Sequence, residues 1–257
     1  LSKDISTLLE GWDYHPDRIN ARWVTGVDGL PKVQLRLDLG VLQMEMEGRP
    51  DGTTPRGYPS LLDYYQSLEE QFTPDHPGLR LNEASCSALQ QEAVQYYYRY
   101  LAFHALGHLD GVIRDTEHNL DIFDLVAAHA LDDEVAWQFL QFFPYVRMMN
   151  ARALAEKAME TQDFEDAMFA LQEAYDDIES FGGEYNDFEE EAPFEELEVL
   201  RTMLDRIKAK KPKSQVDQLK EDLDRAIASE DYERAAILRD SLLKIRTRGQ
   251  GVVHDDH

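Results

Sequence analysis

The chain has one cysteine, Cys86, in 257 residues. That excludes an intramolecular disulfide and any zinc cage built on cysteines, and it favours a reducing compartment with Cys86 in a small, buried apolar role. Basic residues are scarce, 26 Lys and Arg against 51 Asp and Glu, for a net charge of −25. Duplex binding depends on Lys and Arg neutralising phosphates, so this balance argues against direct nucleic-acid contact. It fits solubility, or a basic protein partner. No apolar run approaches the roughly 20 residues that cross a membrane. The opening Leu1-Ser-Lys-Asp-Ile-Ser6 has neither the basic stretch nor the apolar run of a signal peptide. The expectation is a soluble, cytoplasmic protein with no membrane contact.

Catalytic motifs are also missing. The sequence has no phosphate-binding glycine loop, no Gly-x-Ser-x-Gly and no His-Glu-x-x-His. His104 and His108 have a metal-compatible spacing on a continuous helix, but Gly107 falls between them and no third ligand stands out. Packing at a helix corner is the expected role, with no metal and no cofactor. Glu45, Glu47, Arg49 and Asp51 gather near one turn, and Arg49-Pro-Asp-Gly52 explains them as the turn itself.

What is present divides the chain into five parts: an N-terminal module with a β-hairpin (1–80), a helical domain (81–182), a charged linker or helix (183–213), a helical hairpin (214–248) and a tail (249–257). The fold class expected is α+β, mainly α. In the first part, Ile19–Val24 and Lys32–Leu39 have strand patterning, with Val33, Leu35, Leu37 and Leu39 alternating against polar residues. Gly26-Val-Asp-Gly-Leu-Pro31 is a turn between them. Leu42, Met44 and Met46 continue the alternation beyond Gly40, where a bulge or bend is expected. A two-stranded hairpin is marginal by itself, so it must pack on helices, a third strand or another copy of the chain. Ser60–Phe72 reads as a helix.

From about Ser85 to Phe181 the pattern is helical throughout. Phe164, Ala167, Leu171, Ala174 and Ile178 recur at spacings of 3, 4, 3 and 4, which marks a core face ending at Gly182-Gly183. A helix over 134–142 stops before Pro144, which suits the first turn of the next. Tyr96, Tyr97, Tyr98 and Tyr100 cannot all be buried by one helix, because consecutive residues point in different directions. Tyr97 and Tyr100 are therefore candidates for a protein-contact surface or groove. Residues 184–198 carry eight acids and no base, and 201–213 carry six bases against Asp205 alone. A helix across this switch places its charges as the macrodipole favours and bridges the main domain to the C-terminal hairpin.

Three sites share one local pattern: Gly107-His-Leu-Asp-Gly-Val-Ile113, Gln162-Asp-Phe-Glu-Asp-Ala-Met168 and Glu230-Asp-Tyr-Glu-Arg-Ala-Ala236. Leu109, Phe164 or Tyr232 precedes an acid, and Val112, Ala167 or Ala235 follows three positions on. This reads as the corner of a helical hairpin, with Asp163 or Asp231 capping the second helix, the larger side chain plugging the corner and the small one allowing close approach. The first two corners resemble those of tetratricopeptide repeats, although they lie 55 residues apart rather than the family's 34. The resemblance implies a TPR-like helical domain with an inserted helix, not a regular array.

The third corner is more specific. Asp231, Tyr232, Glu233, Ala235, Ala236, Leu238, Arg239 and Asp240 follow an amphipathic stripe of Val216, Leu219, Leu223 and Ile227, with Ser214 and Asp217 placed as a capping box. This stretch resembles the UVR motif of the excision-repair proteins UvrB and UvrC, also found in bacterial adaptor and chaperone-associated proteins. The whole chain looks like bacterial UvrB/UvrC motif-containing proteins of no assigned activity. The resemblance implies docking of one hairpin on another, in a protein partner or a second copy of the chain as a homodimer. Leu219, Leu223, Ile227, Tyr232, Ala235, Ala236, Arg239 and Leu242 are the contact residues expected. The leading expectation is thus a non-catalytic scaffold or adaptor. Two alternatives stand beside it. One is a small-ligand binder or enzyme with a site between the N-terminal hairpin and the helices, near Trp23, Arg49 and Asp51. The other is a DNA-repair accessory acting through protein partners.

Overall fold

Caps and apolar spacing mark most of the element boundaries in the computed structural model, which describes residues 4–71, 78–185, 194–213 and 215–250. The chain forms two compact units, Leu1–Lys208 and Ala209–His257. The first holds α1 (Ser6–Leu9), β1 (Asn20–Thr25), β2 (Pro31–Arg36), β3 (Val41–Glu45), α2 (Leu61–Glu69), α3 (Glu83–Ala105), α4 (Leu109–His129), α5 (Asp133–Leu140), α6 (Phe143–Glu160), α7 (Phe164–Tyr185) and most of α8 (Glu195–Lys210). The second holds α9 (Gln215–Ala228) and α10 (Tyr232–Gln250).

The sheet is antiparallel in the order β1-β2-β3, so the expected hairpin gains its third strand from the Leu42–Met44 alternation. β2 stops at Arg36 rather than running to Leu39. The Leu37 N–H donates to the Gly40 carbonyl at 2.9 Å, which closes a turn and leaves Leu39 exposed. Val33 and Leu35 join Met44 in the helical core, as the alternation required. Lys32 and Gln34, on the opposite face, are buried as well. As the central strand, β2 has its polar face covered by cross-strand neighbours: Arg22 Nε donates to Gln34 Oε1 at 2.9 Å, Gln34 Nε2 donates to Gln43 Oε1 at 2.9 Å, and Lys32 pairs with Glu45.

Helix starts follow short polar side chains. Ser60 Oγ accepts from the Asp63 N–H at 3.0 Å and Asn82 Oδ1 from the Ser85 N–H at 2.9 Å, while Pro144 lies in the first turn of α6. α7 buries Ala167, Leu171, Ala174 and Ile178 completely, the stripe read from the sequence. It does not end at Gly182-Gly183. The helix continues to Tyr185, and a β-carbon on Gly182 would lie 3.0 Å from Phe194 Cε2. The absent side chain makes room for the Phe194 ring. The helix expected as a charged connection, α8, seats Leu200, Leu204 and Ile207 in the same core as Leu171 and Ile178. Its charge switch lies on the faces turned away from that core.

A second apolar cluster gathers Leu62, Leu81, Leu89, Phe123, Val126, Phe139 and Val146, from α2 through α6. Cys86 is free and buried within it. Among the described residues no helix is long and apolar enough to cross a membrane. The capping box at Ser214 and the tail His254–His257 lie outside the described residues.

Candidate functional site

The three corners share one backbone construction. Gly107, Gln162 and Glu230 each adopt a left-handed conformation, with φ of 72°, 59° and 57°. The N–H of the next residue then donates back across the turn, His108 to Phe103, Asp163 to Ala158 and Asp231 to Ala226, each at 2.9 Å. The left-handed residue's own N–H donates to His104, Met159 and Ile227 respectively. This is the Schellman closure, which satisfies carbonyls left free at a helix end. The residue after it caps the following helix. His108 Nδ1 accepts from the Gly111 N–H at 2.9 Å, Asp163 Oδ1 from the Asp166 N–H at 3.1 Å, and Asp231 Oδ1 from the Arg234 N–H at 3.1 Å. His108 therefore serves as a cap, and Gly107 separates it from His104 on α3. Among the described residues no group of three His, Cys, Asp or Glu is placed to hold a metal ion.

The corners differ in what fills them. Leu109 and Phe164 are half-buried and pack on the main core, whereas Tyr232, expected as a plug, is 70% exposed. In the α9–α10 unit Ala226 and Ala235 are buried on either side of the corner, where small side chains let the helices approach. Leu219, Leu223 and Leu242 are half-buried, while Ala236 and Arg239 are exposed. Tyr232, Ala236 and Arg239 fall at i, i+4 and i+7, so they share one face of α10. Ile227 at the end of α9 is 52% exposed, and Ile237 on α10 is 67% exposed. Ile237 was not singled out from the sequence. It is a large apolar residue outside the face that Ala235, Leu238 and Leu242 share, and that position is the signal that could have found it.

The tyrosines of α3 lead to a different feature. Tyr96 and Tyr100 are buried and Tyr97 and Tyr98 half-buried. Tyr97 stands edge-on to both Tyr98 and Tyr100, with centroids 5.3 Å and 5.5 Å apart. Together with α4, α5 and α6 they line a groove of about 520 Å³ formed by Gln90, Ala93, Val94, Tyr97, Tyr98, Tyr100, Asn119, Phe123, Gln138, Phe139, Phe142, Tyr145 and Val146. None of these residues carries a charge. Burial pushes the phenols of Tyr97, Tyr100 and Tyr145 above the usual tyrosine range, so all three remain protonated donors at neutral pH.

Around Arg49 and Asp51 the charged groups are used internally. Arg99, completely buried on α3, donates from Nε and Nη2 to both carboxylate oxygens of buried Asp115 at 2.7 Å. Its Nη1 donates to the carbonyls of Glu45 and Gly48 at 3.0 and 2.8 Å, fixing the end of β3 to the helices. Arg114 Nη2 adds a bond to the Met46 carbonyl at 2.8 Å. Glu92, also buried, accepts from the N–H groups of Leu61 and Leu62 at the start of α2 and meets His118 Nε2 at 3.2 Å. Burial would raise the Glu92 carboxyl. The His118 contact and the two backbone donors outweigh it, and its pKa falls below the usual range. The His118 ring stacks on Tyr96 at 3.6 Å. Arg49 reaches Glu92 and Asp51, each at 3.4 Å. These residues tie the sheet and α2 to α3 and α4. Sequence reading missed Glu92, Arg99 and Asp115; polar residues seven apart on the core face of α3 were the available sign.

Residues 213–248 match the family described as UVR, the UvrB/uvrC motif. The match covers the segment of α9, the Glu230 corner and most of α10. No curated protein and no solved structure matches the chain.

Proposed function

We propose that this protein is a non-catalytic scaffold or adaptor that docks through its C-terminal helical hairpin. The observation that carries the reading is the exposure of Ile227, Tyr232 and Ile237 within the segment that matches the UVR motif. Large apolar and aromatic side chains left exposed on so small a unit are suited to a protein interface. A two-helix hairpin whose buried side chains, among the described residues, are Ala226 and Ala235 gains stability by covering that surface. The contact is helix on helix, with Tyr232, Ala236 and Arg239 on the presented face of α10. The occupant is another hairpin of the same type, in a partner protein or in a second copy of this chain. The TPR-like helical part of the first unit acts as the carrier, in a bacterial cytoplasm.

The test compares the full chain, its Tyr232→Asp variant and a chain ending at residue 213. Sedimentation velocity reads self-association, and capture by an immobilised UVR hairpin reads partner docking. Tyr232→Asp should abolish the contact as fully as truncation does, with amide exchange in α3–α7 unchanged. Docking that survives Tyr232→Asp at full strength overturns the proposal.

A further inference from the structure

The groove between α3, α4, α5 and α6 combines three features that the docking role does not use. Its volume of about 520 Å³ lies in the range of small-molecule sites, roughly 300–1,000 Å³. Its walls are aromatic and aliphatic and free of charge in a protein whose net charge is −25. Two of its lining residues carry buried polar atoms with no hydrogen-bond partner among the described residues: the Tyr100 hydroxyl and Asn119 Oδ1. Asn119 is held in place, since its Nδ2 donates to the Ala93 carbonyl at 3.1 Å. Its free oxygen is therefore an oriented acceptor. The Tyr100 ring stands edge-on to Tyr97, and its hydroxyl is free to donate.

A buried donor and acceptor left unpaired cost free energy, and a ligand that pairs them recovers it. We propose that this groove binds a neutral, mainly apolar small molecule that carries one N–H or O–H donor and one carbonyl or hydroxyl acceptor. The donor pairs with Asn119 Oδ1 and the acceptor with the Tyr100 hydroxyl, while the ligand's apolar body lies among Tyr97, Phe139 and Tyr145. Carboxylates and ammonium groups are refused, because the lining offers no counter-charge for a desolvated ion. Gln90 and Gln138 supply the remaining polar contacts. The site is independent of the hairpin, so it stands or falls separately from the docking proposal.

The test titrates the full-length ¹⁵N-labelled chain with three probes of similar size: acetanilide, which is neutral with one donor and one acceptor; ethylbenzene, which has neither; and benzoate, which is charged. Acetanilide should shift amides in residues 93–100 and 138–146 up to roughly 10 mM, the weak end of what so few atoms achieve. Ethylbenzene should bind more weakly, and benzoate should leave these amides unmoved. Tyr100→Phe removes one oxygen and should weaken acetanilide about 2- to 10-fold, the value of one net hydrogen bond, without changing ethylbenzene. Val94→Trp, at the exposed edge of the groove, should close it to both neutral probes while leaving the core spectrum intact. The proposal is overturned if no probe binds and only ordered water meets Tyr100 and Asn119, if benzoate binds as well as acetanilide, or if Tyr100→Phe has no effect on acetanilide. A change of oligomeric state in Val94→Trp also overturns it, by assigning the groove to protein contact.

Discussion

At Gln162 the chain turns through a left-handed φ of 59° and hands Asp163 to the next helix as its cap; at Glu230 it turns through 57° and hands over Asp231. The aromatic residue that follows then meets opposite surroundings. Phe164 packs against the main core, and Tyr232 stands 70% exposed. The backbone device is therefore neutral with respect to use. It closes one helix and opens another wherever a capping acid follows a residue that can turn left-handed. Neighbouring elements decide whether the ring becomes a plug or stays exposed. Around Phe164 they include α6 and α7, with Ala151, Ala155 and Ala167 all fully buried. The hairpin unit offers two helices with, among the described residues, two buried alanines between them.

The comparison breaks most sharply where the first unit holds buried charge and the hairpin, among the described residues, holds none. Asp115→Ala leaves the Arg99 guanidinium buried without its carboxylate and should destabilise the first unit by about 3–5 kcal/mol. Amide exchange should accelerate in α3 and α4 and stay unchanged in α9 and α10. Next in size is the ring itself. Phe164→Ala should cost about 2 kcal/mol by loss of packing at a half-buried site, whereas Tyr232→Ala should stay within about 0.5 kcal/mol of the parent, as exposed substitutions do. Denaturant melts followed by exchange at each corner separate the two, and equal losses would dissolve the distinction drawn between plug and surface.

Smaller effects should be shared by the corners rather than divide them. Asp163→Ala and Asp231→Ala each remove a cap and should each cost about 1 kcal/mol locally. A large difference between them would mean that the matching geometry hides different energetics. Smallest are Gln162→Gly and Glu230→Gly. Each relieves a non-glycine residue of its left-handed conformation and should raise local stability by about 0.5 kcal/mol, net of the added freedom of the unfolded chain.

Much of the fold was legible because its signals are local. The 3,4,3,4 spacing of α7, Pro144 in the first turn of α6 and the acids at the two corners each act over a turn or two of helix. The misreadings came where a distant partner intervened. Gly182 does not stop α7, because it does not turn left-handed, and its missing side chain leaves room for Phe194. β2 is not half-buried, because strands on both sides cover its polar face. The groove escaped notice beyond its tyrosines, since its lining is assembled from four successive helices and depends on how they pack. The hairpin was the reverse case: the residues expected to make contact could be listed from the motif, but exposure alone distinguishes Tyr232 from Ala235.

By itself the sequence determined the corners, the helix faces, the strand alternation and the charge balance, since each depends on residues a few positions apart or on composition. Only the tertiary structure decided which polar groups would be taken out of water. Arg99 finds Asp115 sixteen positions away and the carbonyls of Glu45 and Gly48 about fifty positions away, while Tyr100 and Asn119 are buried with polar atoms unpaired. Whether a buried charge or hydroxyl has a partner is a question of distance in space, and no local pattern carries that distance.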